Sequence, residues 1–391
     1  MSYPPLADVR KTFRVDWYRS PIPGAKLREL SRRSDRQAWF QAGGHLALFC
    51  LTAALVFHFW TLQLWGAFLL ALFCHGTVTS FFSGIASHEL GHGTVFRTKW
   101  LNKVFLYVFS LIGWFDTYDY NMSHTYHHRY TLHPEGDREV LLPIEPTLAS
   151  FFMLQLFTIS LATKPRRVFD KGGLISTVVV TLRAAFGGVG PDFGVVVGRD
   201  RLPAFEWRRA LHADQPEEFR KSVRWSRILL LFHGSILLIA IATGLWVLPL
   251  IFSTAVFTAN WMRYFIALPQ HCGLRDNVND FRKSVRSMRV NPLFSFLYWR
   301  MEWHLEHHMY AGVPCYNLPK LYEAVADDMP EPRTLIGAWK EMRMIWRRQK
   351  GDPDFQFDTP LPPTARVARS DAPEEIELES SIGDLAPAGL R

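Results

Sequence analysis

The chain has 391 residues, 48% of them hydrophobic, with 30 Phe, 14 Trp and a formal net charge of +8. Its Lys and Arg sit beside long uncharged apolar runs, which suits a membrane surface and argues against a nucleic-acid groove. The cysteines Cys50, Cys74, Cys272 and Cys315 form no CxxC pair, so nothing points to a disulfide framework or an oxidising compartment.

Residues 1–41 are rich in charge and lack the early apolar stretch of a cleavable signal peptide. Residues 42–86 form an apolar run whose one interruption lies at His58 to Gln63. A membrane span needs about 20 apolar residues, so this run predicts a two-helix hairpin. Residues 87–227 are an interfacial or cytosolic region. Within it Val104–Phe115 and Leu148–Ala162 are short for spanning and read as helices in the interface or packed under the polar domain. The stretch Gly172–Gly198 has no clear period and stays unassigned. Residues 228–268 predict a second hairpin, turning at Gly244 to Pro249, and residues 269–349 a second cytosolic region. Residues 350–391 contain several prolines and an acidic patch at Glu374, Glu375, Glu377 and Glu379, and read as a disordered tail.

The expected fold is thus all-α and integral to the membrane: two transmembrane hairpins (four spans) with a cytosolic helical cap. Arg28, Arg32, Arg33 and Arg36 precede the first hairpin and Arg97 and Lys99 follow it. Arg220, Lys221, Arg224 and Arg227 precede the second, and Arg275, Arg282 and Lys283 follow it. Neither turn carries Lys or Arg. The positive-inside rule then places both termini and all long polar segments in the cytosol.

Nine of the fifteen histidines fall into four clusters: His88 and His92; His124, His127 and His128; His271; and His304, His307 and His308. Each half of the chain reads as a hairpin, a near histidine group, then HxxHH. Residues i, i+3 and i+4 share a helix face, so each cluster presents its imidazoles together. Neutral imidazole is a good ligand for Fe and Zn. Nine are too many for one ion and suit two ions with four or five ligands each. His45, His58, His75 and His233 lie in or beside apolar runs and read as satisfied core or interfacial groups; His212 reads as a surface residue. Ligating imidazoles need partners on their other nitrogen; Glu89, Glu306, Asp137 and His133 are the candidates, with Asp116 and Asp119 behind them. Arg282, Lys283, Arg286 and Arg289 form a basic run that suits an anionic headgroup or an acidic redox protein, or equally a plain positive-inside flank. His88-Glu89-Leu90-Gly91-His92 also matches HExxH, the box of zinc metalloproteases with Glu89 as base, which leaves an intramembrane zinc protease as a remote alternative.

At these residues the chain resembles the membrane fatty acid desaturase superfamily, which includes related hydroxylases. The family shows HxxxH or HxxxxH, then HxxHH, then HxxHH or QxxHH; here these are His88–His92, His124–His128 and His304–His308, with His271 similar to the extra ligand before the third box. The stretch from Glu302 to Pro319 resembles the third box with its downstream Val-Pro and Leu-Pro. The resemblance spans about residues 42 to 325. It implies two Fe ions held by the nine histidines, O₂ as co-substrate, and an acyl chain or other apolar or amphiphilic substrate drawn from membrane lipid. Either desaturation or hydroxylation by a monooxygenase is compatible with it. Animal-type acyl-CoA desaturases carry an Asn four residues before the extra histidine, where this chain has Ala267. His133-Pro-Glu-Gly136 is not the haem-binding HPGG, so a separate electron donor of ferredoxin, rubredoxin or cytochrome b5 type is expected.

Overall fold

The computed structural model describes residues 3–161, 173–189 and 205–368. It is mostly helical; the strands in it are Met288–Arg289 and Arg333–Thr334, paired in parallel. Among the described residues three helices are long and apolar enough to cross a membrane: Asp35–Thr61, Trp65–Gly91 and Pro216–Thr243. The second is the central one, with 61% of its most apolar window buried against 28% in each of the others. We label Gly44–Thr61 α1, Trp65–Ser80 α2 and Ser87–Gly91 α3. The turn between α1 and α2 lies at Leu62 to Leu64, with Gln63 at φ 55°, as the interruption in the apolar run predicts. The helix axis breaks between α2 and α3, where Ser83 takes an extended ψ of 120° and Gly84 a φ of 76°; glycine carries no Cβ penalty there.

Lys99–Ile112 (α4) and Thr117–Tyr130 (α5) follow, then Ser150–Phe157 (α6) and Leu174–Ala185 (α7). α7 falls in the stretch left unassigned by pattern and packs along Pro216–Thr243 (α8); residues 190–198 of that stretch lie outside the described residues. α8 ends at Gly244, whose φ of 75° forms the left-handed cap that turns the chain. Exposed Trp65 and Trp246 sit beside the two hairpin turns, the position that indole favours at a bilayer interface.

The return limb of the second hairpin differs from expectation. It is not one span but Val247–Phe252 (α9), a short 3₁₀ turn, and Trp261–Ala267 (α10). The backbone freed by the break finds partners elsewhere, as non-helical backbone at membrane depth must. Ala259 N donates to Thr158 O at 2.7 Å and Ser160 N to Phe257 O at 2.7 Å. Trp114 Nε1 donates to Ser253 O at 2.8 Å. The broken stretch presses on α2 so closely that a Cβ on Gly76 would stand 2.2 Å from Thr258 O.

The histidines within the apolar helices are satisfied structural groups, as expected. His45 Nε2 bonds Val78 O at 3.1 Å, His75 Nε2 bonds Ile251 O at 3.0 Å, and His233 Nε2 bonds Leu111 O at 3.0 Å. His58 is exposed near the turn.

His304–Met309 (α11) and Leu335–Gly351 (α12) follow. The tail departs from its expected disorder as far as it is described. Lys283 Nζ donates to Thr359 O at 2.7 Å, Arg282 Nη2 to Arg366 O at 2.9 Å, and Arg366 N to Asp328 Oδ1 at 2.7 Å. The acidic patch Glu374 to Glu379 lies outside the described residues. The basic run is also committed internally. Arg282 is fully buried between Asp280 and Asp328, and Arg286 pairs with Glu341 at 2.8 Å. Those two guanidiniums therefore tie the C-terminal segments together and are not free to grip a headgroup.

Candidate metal centre

All nine histidines converge. Asp116 caps α5 by accepting from Tyr118 N and Asp119 N at 3.1 Å each, which fixes where His124, His127 and His128 emerge. α3 carries His88 in its first turn and is followed directly by His92, α11 carries His304, His307 and His308, and His271 stands in the turn after α10.

They form two groups. His88, His92, His124, His128 and His307 place one nitrogen each within 4.8 Å of one another, and His127, His271, His304 and His308 do the same. The boxes therefore do not each serve one point, as shared helix faces suggested. In both HxxHH boxes the i and i+4 residues go to one group and the middle histidine to the other. Residues 127 and 128 differ by about 100° around the helix, enough to aim them at separate foci. The foci adjoin: the His128 and His308 rings stack with centroids 4.5 Å apart.

Inside each group the Nε2 atoms face one another. His92 and His88 are 3.2 Å apart at Nε2, His307 and His128 3.2 Å, His271 and His304 3.1 Å, and His308 and His304 3.1 Å. The outer Nδ1 atoms decide what those Nε2 atoms carry. His271 Nδ1 lies 3.1 Å from Ser284 O, which can only accept. Thr131 gives its own proton to His127 O at 2.6 Å, so His308 Nδ1 donates to Thr131 Oγ1 at 3.1 Å. His127 Nδ1 faces Asp137 Oδ2 at 2.8 Å. In neutral imidazole the second nitrogen is then a lone pair. His127, His271 and His308 thus turn lone pairs inward around His304 Nε2, which has at most one proton to give. Lone pairs packed in this way repel unless a cation sits among them, so the donor set fits a metal ion.

Electrostatics agree. Burial, followed by His88, pushes His92 down to about 3, and burial, followed by His127, does the same to His271. Burial and neighbouring imidazoles hold His124, His128, His304, His307 and His308 well below the usual histidine range. These groups stay neutral, the form that binds metal. His127 is the exception: burial pulls it down, but Asp137 outweighs burial and raises it. Asp137 is fully buried, which pushes its carboxyl up, yet His127 and two backbone N–H groups bring it below its ordinary value.

Among the expected partners, Asp137 meets His127. Glu89 Oε1 lies 2.9 Å from His88 Nδ1, off the line of a good hydrogen bond, and 3.5 Å from His307 Nδ1. Glu89 is thus on the outer nitrogens, away from the Nε2 focus where a protease base would have to stand, which argues against the HExxH reading. Glu306 accepts from Ser287 Oγ and shows no imidazole contact; burial raises it to about 7. His133 Nδ1 faces Tyr130 O and Thr131 O, stabilising a turn. Asp119 pairs with Arg208 at 2.9 Å and with His212, so His212 is not a free surface group. Asp116 accepts from Ser222 and Ser226. Sequence reading missed Glu139, 3.4 Å from His124 Nδ1; Tyr120, whose OH is 3.1 Å from that nitrogen; and Thr131. Glu139, two residues past Asp137, was the one with a signal.

A family profile described as fatty acid desaturase matches residues 60–339. The chain belongs to that family. Comparison with curated proteins gives no match. Membership makes this desaturase-family chain an oxidoreductase of the membrane desaturase and hydroxylase type, and its three apolar helices agree with an integral membrane protein.

Proposed function

We propose that the chain desaturates a fatty-acyl or lipid chain with O₂, using two Fe ions held by His88, His92, His124, His128 and His307 at one site and by His127, His271, His304 and His308 at the other. The observation that carries this reading is the convergence of one ring nitrogen from each histidine in a group of five and a group of four. Iron in these groups would supply the oxidising power that an unactivated C–H bond requires and that no side chain offers.

The chain's own residues hold and orient. Asp137, Thr131 and Ser284 O fix the tautomers of His127, His308 and His271. In the five-histidine group Glu139 lies 3.4 Å from His124 Nδ1, and the Glu89 carboxylate sits beside the outer nitrogens of His88 and His307 without an aligned hydrogen bond to either. Seven of the nine histidines are buried and His92 and His128 are partly buried, which limits the access of bulk water to the reacting carbon. Ala267, the last residue of α10, brings no ligating atom, so the second group keeps four protein donors. In this reading both termini and the histidines face the cytosol, where a separate ferredoxin, rubredoxin or cytochrome b5 type protein supplies electrons. The positive-inside pattern supports that sidedness.

The test is turnover of purified protein with candidate lipids, a reductant and ¹⁸O₂. Loss of two hydrogens without label in the product is the expected result. Label in the product would make the chain a hydroxylase on the same scaffold. Zinc alone, or fewer than two irons per fully active chain, would overturn the reading.

A further inference from the structure

Arg263 is a half-buried cation on α10, and among the described residues no acceptor bonds or pairs with it. Its guanidinium lies against the helix break: a Cβ built on Gly84 would stand 3.1 Å from Arg263 Nη2 and 3.9 Å from Phe115 Cε2. Gly84 is four residues ahead of His88, so the charge sits beside the five-histidine group. The ionisable groups close enough to act on it are the phenols of Tyr298 and Tyr120. A phenol is neutral at neutral pH, so neither supplies a counter-charge.

These phenols are themselves donors without an acceptor. Tyr298 is fully buried, and its OH has no hydrogen-bond partner. Tyr120 stacks on His124 with centroids 4.7 Å apart and places its OH 3.1 Å from His124 Nδ1. With His124 Nε2 turned to the metal focus, Nδ1 bears the hydrogen, which the Tyr120 oxygen shares with Glu139 Oε1 at 3.4 Å, so the Tyr120 proton is not used on that ring. A half-buried cation that no acceptor bonds, beside a fully buried phenol O–H without a partner, leaves hydrogen-bonding capacity that a ligand can complete.

We propose that Arg263, Tyr120 and Tyr298 receive the ionised carboxylate of the substrate, so that the chain acts on a free amphiphilic acid whose acid end docks beside the five-histidine group. This rests on the function proposed above. A charge-assisted pair to guanidinium gives the affinity, and the two phenols orient the carboxylate. A neutral ester or a large thioester headgroup would leave the cation unpaired and so be disfavoured.

The experiment titrates full-length, iron-loaded protein in phosphatidylcholine nanodiscs with decanoate and with methyl decanoate, by calorimetry. Decanoate is expected to bind about tenfold tighter or more, equal to about 1.4 kcal/mol. Arg263→Gln should erase that preference, Arg263→Lys should keep most of it, and Tyr298→Phe should weaken decanoate a few-fold. Because Arg263→Gln breaks no pair, it should melt no lower than the parent and keep its iron. Equal binding of acid and ester by the parent, or an unchanged preference in Arg263→Gln, overturns the proposal. If Arg263→Gln does not fold, an unchanged preference in Tyr298→Phe overturns it. Displacement of decanoate by added phosphatidylglycerol would assign the cation to a lipid headgroup and also overturn it. An Arg263-dependent preference in protein that binds no iron would instead sink the proposed function and leave this subsite standing.

Discussion

Asp137→Asn tests whether the carboxylate beside His127 fixes the four-histidine group. Asp137 is 0% exposed. Its Oδ2 faces His127 Nδ1 at 2.8 Å and accepts from Leu132 N at 2.9 Å, and its Oδ1 accepts from Glu139 N at 2.9 Å. The amide has the same shape but only one acceptor atom. Its least costly placement turns the NH₂ toward Glu139 N, which orphans a buried donor at about 1–3 kcal/mol and trades a charged hydrogen bond for a neutral one at about 1 kcal/mol. The iron-free variant should therefore lose about 2–4 kcal/mol. Removing such a partner also lowers metal affinity about 10–100-fold, so chelator titration should strip roughly one iron early and leave the other. The deficit has a pH signature. Asp137 is held low, so its contribution is present above the unfolded carboxyl range near 3.9 and is lost as pH falls through its folded value. His127 is held high, so its contribution is present below about 6.5 and is lost as pH rises through its folded value. The destabilisation should thus be largest between about pH 4 and 6.5. A variant that melts with the parent across that window and holds both irons equally tightly would refute the reasoning.

His307→Ala and His304→Ala should each lower iron from two to about one per chain, from different groups, while the protein stays in the membrane and turnover is lost; identical Mössbauer spectra for the two variants would refute the assignment. Gly76→Ala drives a Cβ into Thr258 O, so the melting temperature in detergent should fall by the equivalent of about 1–3 kcal/mol or more; an unchanged melt would mean the broken limb does not press on α2. His92 and His271, both near 3 in the folded chain, contribute stability that is complete above the unfolded value of about 6.5 and is lost as pH falls below it. Iron should leave over the same acid limb, since ligands must be unprotonated, and iron content constant down to pH 4.5 would contradict this.

Much of the site was legible because the ligands are short-range patterns. His88 with His92, and His304 with His308, meet at i, i+4 spacing on any helix. The division of each HxxHH box between two foci was legible only in part. It follows from the angle between consecutive residues once two foci lie a few ångströms apart, but nothing local says that they do. Glu139 and Thr131 reach their imidazoles through the loop after α5, where no period applies. Glu306 was misplaced for the opposite reason: its neighbours in sequence are ligands, yet its own carboxyl points to Ser287.

The break in the second hairpin escaped hydropathy for a more general reason. Hydropathy sums side chains, whereas a span also requires its peptide groups to be bonded. The last carbonyls of any helix have no partner within it. Val78 near the end of α2, Leu111 near the end of α4 and Ile251 near the end of α9 are such carbonyls, and each accepts from an imidazole: His45, His233 and His75. The other nitrogens of the three rings are occupied by Trp299 Nε1, Ser253 Oγ and Thr52 Oγ1. Read together, three polar rings placed in runs otherwise fit for lipid mark where helices stop inside the membrane-embedded body. The same residue type thus serves two ends in this chain, caps for interrupted helices at depth and ligand candidates where the helices emerge: His45, His75 and His233 stand alone and cap, whereas eight of the nine converging rings have a neighbour within four residues and only His271 joins them singly.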